Sequence, residues 1–154
     1  MKAMLLAAGL GTRLKPVTDV YAKPAVPFLN IPLLYYSIAL MESAGARDLV
    51  ANTHYKPEQI AALTKAIPEF RGQVALSSEV EKPLGSGGGV WAAKKWLEGS
   101  GDFLVANADE VIIPSTKTIP AELVDAHKSS HALATIYVMS HKGVGTQFGG
   151  VWAD

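Results

Sequence analysis

The chain has 154 residues, 49% of them hydrophobic and 18% charged, enough apolar content to bury a core and too little charge for an intrinsically disordered segment. Its 14 Lys and Arg balance 14 Asp and Glu, so no global field draws it to nucleic acid or to an anionic membrane, and any anion site must be local. The absence of cysteine excludes a disulfide framework, a thiolate nucleophile and a zinc–thiolate cluster.

In chain order, Met4–Ala8 is continuous and apolar and predicts a strand covered on both faces. The run is too short to span a bilayer, and Arg13 and Lys15 follow closely. A buried strand therefore fits better than a signal peptide, and the expected compartment is the cytoplasm. After a glycine loop, Leu34, Ile38 and Met41 recur at helical spacing and predict a helix ending near Gly45. Asp48–Asn52 reads as a strand. Ile60, Leu63 and Ile67 mark a helix from about Pro57 to just before Pro68. Gln73–Ser77 reads as a third strand. Val90, Ala93 and Leu97 mark a helix after the loop "LGSGGG", closed by Gly99 and Gly101. Phe103–Ala106 is a fourth strand, Glu122–Lys128 a helix, and Ala132–Met139 a long apolar strand, with "FGGVWA" opening a further element. The repeated alternation predicts an α/β fold of three layers, α/β/α, around a mostly parallel sheet. In such sheets ligands bind beyond the carboxyl ends of the strands, where Gly9–Lys15, Pro83–Gly89 and Asn107–Asp109 all fall.

In "GLGTRLKP", Gly9 and Gly11 lack the Cβ that would obstruct a phosphate chain, and turn amides can form an anion nest. Arg13 adds a planar fork and Lys15 a compact charge. The spacing is neither GxGxxG nor GxxxxGK[ST], so it signals neither a dinucleotide fold nor a P-loop. Taken alone it also reads as a glycine turn with two solvated cations. Lys23 in "KPAVP" sits on a segment stiffened by Pro24 and Pro27, which suits a preorganised phosphate contact or a plain surface turn. The four glycines at 85, 87, 88 and 89 read as a loop making close contact with a flat ligand, or as a flexible connection. Asp109, just past a buried strand, is placed to ligate magnesium or to cap the strand end; Glu110 beside it points elsewhere if the strand continues. His54 follows a strand end and is a candidate lining residue. His127 and His131 stand at i, i+4 without an HExxH pattern, so no zinc site is expected. Trp91 and Trp96 sit on a helix and are expected to be packing residues and not base-stacking platforms.

Together these segments resemble the sugar-1-phosphate nucleotidyltransferases. "AAGLGTRLKPVT" is similar to that family's opening loop, "KPAVP" to its KPxxP segment, "EKPLGSGGG" to the loop that helps hold base and sugar, and "NADE" to its N-G-D string, with Ala108 in place of the usual glycine. "NTHY" matches a common form of the family as well. The resemblance implies a Rossmann-like nucleotidyltransferase fold and transfer from an NTP to a sugar 1-phosphate, giving NDP-sugar and pyrophosphate. It implies that Arg13, Lys23 and Asp109 are catalytic. Ala8, Gly9, Gly11, Thr12, Lys15, Gly85 and Asn107 would bind substrate, and Asp109 would hold Mg²⁺ as the cofactor. The alternative on the same fold is a non-catalytic nucleotide or nucleotide-sugar sensor. The "GSGGG" form and compact layout lean towards the mannose-1-phosphate guanylyltransferase or N-acetylmuramate-1-phosphate uridylyltransferase type. Family members continue past the point reached at Phe148–Gly149 and carry a second acidic ligand and much of the sugar pocket there. Residues 1–154 are thus expected to be the nucleotide-binding part of a larger domain, incomplete at the C-terminus. The expected partners are small molecules, with neither nucleic acid nor membrane, and a homo-oligomer is expected if Ala132–Met139 leaves an apolar edge uncovered.

Overall fold

The computed structural model describes residues 1–113, 119–147 and 149–151. In chain order its elements are β1 (Lys2–Leu6), α1 (Val17–Val20), β2 (Pro27–Phe28), β3 (Ile31–Pro32), α2 (Leu33–Ser43) and β4 (Asp48–Thr53). There follow α3 (Pro57–Lys65), β5 (Gln73–Ser78), α4 (Gly85–Ala92), α5 (Lys94–Leu97), β6 (Phe103–Asn107) and α6 (Ile119–Ser130). Four strands form a parallel sheet in the order β5-β4-β1-β6, and β2 and β3 pair antiparallel apart from it. From β1 the chain steps outward to β4 and β5, then returns to the other side of β1 for β6. The order therefore reverses beside β1, where sheets of this class open a ligand crevice.

The continuous apolar run of β1 is explained by its place between two helical layers. Ala3, Met4 and Leu5 are fully buried, and Met4 lies in register between Val50 of β4 and Val105 of β6. Alternate side chains leave opposite faces of a strand. Ala3 and Leu5 join Leu34, Ile38 and Met41 of α2 and Ile60 of α3 in one core. Met4 joins Val50, Ala93 and Leu97 in the other, with Trp96 packed against it. These clusters are the two interfaces of an α/β/α sandwich. On the α2–α3 side, the Tyr35 hydroxyl donates to the carbonyl of Leu63 at 3.1 Å, and burial pushes its pKa up.

A connecting segment is pinned beside the sheet by α3 and the turn that precedes it. The Ala22 N–H donates to Gln59 Oε1 at 2.7 Å, Gln59 Nε2 donates to the Val20 carbonyl at 2.9 Å, and the Tyr55 hydroxyl donates to the Thr18 carbonyl at 2.9 Å. Residues 17–26 thereby become a fixed wall instead of a free loop.

The structure departs from the sequence reading in four places. The first strand begins at Lys2 and ends at Leu6, leaving Ala7 and Ala8 to the loop. The glycine-rich run is not a loop, because α4 starts at Gly85 and contains all four glycines; the expected single helix is split into α4 and α5 at Ala93. Trp91 does not pack against the sheet but is 73% exposed, with Lys94 Nζ 5.1 Å from its ring centroid. Residues 132–139 form no strand, and Leu133, Ile136, Val138 and Met139 are exposed. An apolar run becomes a strand only when a neighbouring edge takes its backbone hydrogen bonds. Among the described residues β6 pairs with β1 alone, and nothing bridges its outer edge to residues 132–139. Of "FGGVWA", residues 148 and 152–154 lie outside the described residues, and 149–151 carry no regular element. Among the described residues no helix is long and apolar enough to cross a membrane.

Candidate functional site

A crevice of about 720 Å³ opens beyond the carboxyl ends of β1, β4 and β6. One rim is the loop leaving β1, including Ala8, Gly9, Gly11, Thr12 and Arg13; the other is Pro83, Gly85 and Ser86. Lys23, Asn52, Asn107 and Asp109 lie between them.

Gly9 and Gly11 serve this rim for different reasons. A Cβ on Gly9 would meet nothing within 4 Å, so its backbone is open to the crevice. Gly11 holds φ +65, and a Cβ there would lie 2.7 Å from Thr18 Cγ2. Thr18 Oγ1 also donates to the Gly11 carbonyl at 2.9 Å, which locks the turn. That turn leads into a single 3₁₀ turn, Thr12–Leu14, which carries Arg13 into the crevice wall. Among the described residues Arg13 makes no ion pair, which leaves its five donors for a ligand.

Lys15 is not brought to the site. Its Nζ lies 3.1 Å from Asp19 Oδ1, with both side chains more than half exposed, and it does not line the crevice. The i, i+4 spacing across Pro16 turns it outward onto α1.

Lys23 and Asp109 meet as an ion pair in the crevice, with side chains 34% and 18% exposed. Lys23 rides on a 3₁₀ turn, Lys23–Ala25, whose Pro24 is buried. Asp109 is placed by the end of β6. The Ala108 N–H donates to the Leu6 carbonyl at 3.1 Å and Ala108 is fully buried, so the small residue closes the turn against β1. Asn107 lines the crevice while its Nδ2 donates to Glu110 Oε1 at 2.6 Å, and Ser37 Oγ donates to the Asn107 carbonyl at 2.9 Å. Glu110 is thereby directed to Asn107 and away from the crevice. Among the described residues no three His, Asp or Glu side chains cluster to hold a metal. A single carboxylate in a crevice instead suits a hard divalent cation that takes its other ligands from a bound molecule and water.

The opposite rim is the start of α4. Gly85 has φ +73, and Gly85 and Ser86 line the crevice. Gly88 and Gly89 permit close packing instead. A Cβ on Gly88 would lie 2.8 Å from Leu84 Cβ, and one on Gly89 would lie 2.6 Å from Asn52 Nδ2 and 3.0 Å from Glu79 Oε1.

Asn52 and Glu79 were not singled out from the sequence as site residues. The usable signal was a polar residue inside the apolar strand "DLVANT", since a buried amide must find partners. His54 does not line the crevice; its Nδ1 is 2.6 Å from the Glu79 carbonyl oxygen. His127 Nδ1 lies 2.9 Å from Thr135 Oγ1, and its Nε2 lies 3.4 Å from Asp102 Oδ1.

The family model described as "Nucleotidyl transferase" matches residues 2–154. Similar curated proteins include "Probable mannose-1-phosphate guanylyltransferase 2" of Oryza sativa subsp. japonica, 35% identical over 140 residues, or 90% of this chain and 38% of that protein. The mannose-1-phosphate guanyltransferase of Candida albicans is 35% identical over 137 residues, or 88% of this chain and 37% of that one. The chain thus spans well under half the length of these relatives. Among solved structures, the UDP-glucose pyrophosphorylase from Acinetobacter baumanii superposes with TM-score 0.70 at 24% identity, covering 85% of this chain and 53% of its own, a likeness of fold. HddC from Yersinia pseudotuberculosis, complexed with GMP-PN, superposes with TM-score 0.59 at 35% identity, covering 70% and 47%.

Proposed function

This chain belongs to the nucleotidyl transferase family, and from that premise we propose that its crevice holds a nucleoside triphosphate for transfer of the nucleotidyl group to a sugar 1-phosphate. The products are an NDP-sugar and pyrophosphate. The observation that carries this reading is the meeting of an open glycine backbone, Arg13, Lys23 and Asp109 in one crevice where the strand order reverses.

A phosphate oxygen of the sugar 1-phosphate attacks the α-phosphorus in line, and the bond from that phosphorus to the bridging oxygen of the leaving pyrophosphate breaks. Such chemistry rests on positioning and charge neutralisation, which a cysteine-free chain supplies without a protein nucleophile. Arg13 is placed to hold the outgoing phosphates by bidentate hydrogen bonds. Lys23 exchanges its contact with Asp109 for the α-phosphate, where its ammonium offsets developing charge. Asp109, once released by Lys23, would hold the divalent cation, for which Mg²⁺ is the proposed identity. When bound, that ion supplies Lewis-acid polarisation of the phosphoryl oxygens. The backbone at Ala8 and Gly85 flanks the space left for the base, and the open backbone at Gly9 faces the phosphates. Relatives named as guanylyltransferases make GTP with mannose 1-phosphate the first pair to test. A purely sensory role does not call for a carboxylate beside the phosphate cations, which favours transfer.

Isothermal titration of GTP and of guanosine against the 154-residue chain in Mg²⁺ tests the site. Arg13→Ala is expected to weaken GTP by roughly ten- to a hundredfold, the value of a charge-assisted hydrogen bond of about 1.5–3 kcal/mol, and to leave guanosine unchanged. Equal loss for both ligands removes Arg13 from the phosphate site.

A further inference from the structure

Two polar side chains at the crevice are almost wholly buried, Asn52 in β4, which lines the crevice, at 3% exposure and its partner Glu79, the residue after β5, at 4%. Their polar atoms form a continuous chain. The Ala7 N–H donates to Asn52 Oδ1 at 2.7 Å, Asn52 Nδ2 donates to Glu79 Oε1 at 2.6 Å, and the Leu84 N–H donates to Glu79 Oε2 at 2.7 Å. The Asn52 amide has one workable orientation, because Ala7 presents a donor and Glu79 an acceptor. The Glu79 backbone is itself fixed, with its N–H donating to the Thr53 carbonyl at 2.8 Å. Absence of a Cβ at Gly89 lets α4 lie against both side chains.

The ends of this chain are the residues that lead into the two rims. Ala7 precedes the Gly9 loop, and Leu84 precedes Gly85. We propose that Asn52 and Glu79 are positioning residues that hold the two rims at one separation, so that the site is preorganised before a ligand arrives. Its functional consequence rests on the reading of the crevice as an NTP site. Buried hydrogen bonds between fully matched groups resist rearrangement, because any displaced partner is left unsatisfied in a dry environment. A rim held in place loses less entropy on binding. A merely local role, with Glu79 satisfying the Leu84 amide alone, would leave Ala7 indifferent to the side chain at position 79.

The polarity of the relay supplies its test. Glu79→Gln turns one accepting arm into a donor, so a donor faces a donor at Leu84, at Asn52 or, if Asn52 flips, at Ala7. Asn52→Asp sets two carboxylates against each other. In the Asn52→Asp/Glu79→Gln double variant every bond is matched again: the carboxylate at 52 accepts from Ala7 and from the amide at 79, whose oxygen accepts from Leu84.

Amide hydrogen exchange by NMR on the unliganded chain, with GTP titration alongside, reads the outcome. Glu79→Gln is expected to speed exchange at Ala7 by about tenfold or more and to weaken GTP by about tenfold, with the double variant returning both to within about threefold of the parent. Unchanged exchange at Ala7 in Glu79→Gln, or no recovery in the double variant, overturns the relay. Restored exchange with GTP affinity constant across the series overturns its positioning role. If the parent chain binds no GTP, the NTP reading fails while exchange still decides the coupling. Should Glu79→Gln not fold, a folded double variant with parental exchange supports the relay, and an unfolded one overturns it.

Discussion

Gly9 and Gly11 interrupt the chain between β1 and α1, whereas Gly85, Gly87, Gly88 and Gly89 run inside the first turns of α4. The first pair makes an irregular rim whose backbone is open to the crevice at Gly9 and turned left-handed at Gly11. The second group makes a regular rim in which Gly88 and Gly89 serve the packing behind the site and Gly85 and Ser86 meet the crevice. A glycine can therefore serve ligand approach, backbone conformation or close packing, and substitution by alanine separates the three.

The largest effect on stability is expected within α4. Gly89→Ala forces a Cβ to within 2.6 Å of the buried Asn52 amide and should lower stability by about 1–3 kcal/mol, the usual cost of overpacking. Gly87→Ala, two residues away with nothing within 4 Å, should instead raise stability by about 0.5–1 kcal/mol, the helix-interior preference for alanine. Urea unfolding of the pair measures the contrast, and equal shifts would show that packing behind the crevice is looser than these distances indicate.

Gly11→Ala comes next. A left-handed φ costs a residue with a Cβ about 1–2 kcal/mol, and the nearby Thr18 methyl opposes any accommodation. Thermal melts should show the loss, and Thr18→Ser, which keeps the hydroxyl bond and removes the methyl, should recover part of it in the Gly11→Ala background.

The smallest stability effect belongs to Gly9. With open space around it and no left-handed φ, Gly9→Ala should change stability by less than about 0.5 kcal/mol. It should nonetheless weaken GTP by about tenfold, because the added methyl occupies the path by which phosphate reaches the backbone. Undiminished GTP affinity in this variant would move the phosphates away from Gly9.

Much of the layer order was legible from local patterns. The apolar run at the N-terminus, the helical spacing of Leu34, Ile38 and Met41, and the strand read at Gln73–Ser77, which the structure extends to Ser78, depend on patterns over a few residues. Arg13, Lys23 and Asp109 stand out in the chain by their charge and, for Arg13 and Asp109, by their position after strands, and all three line one crevice. Lys15 does not line that crevice, because Asp19 lies one helical turn away and pairs with it. Glycine content suggested a loop at 85–89, yet the run is helical, and the close approach that demands Gly89 comes from Asn52 and Glu79, which lie outside α4.

The sequence by itself determined the alternation of strands and helices, the absence of thiol chemistry and the set of cations and carboxylates open to a phosphate ligand. Tertiary structure alone decided which of those charges meet, that the glycine-rich run is helical, that residues 132–139 form no strand, and that Asn52 and Glu79 link the two rims. Periodicity and side-chain chemistry are properties of neighbouring residues. The hydrogen bonds from Ala7 to Asn52 and from Asn52 to Glu79 span 45 and 27 positions, and an ion pair joins Lys23 to Asp109 across the crevice. Such contacts exist only once the parallel sheet has brought the carboxyl ends of its strands side by side.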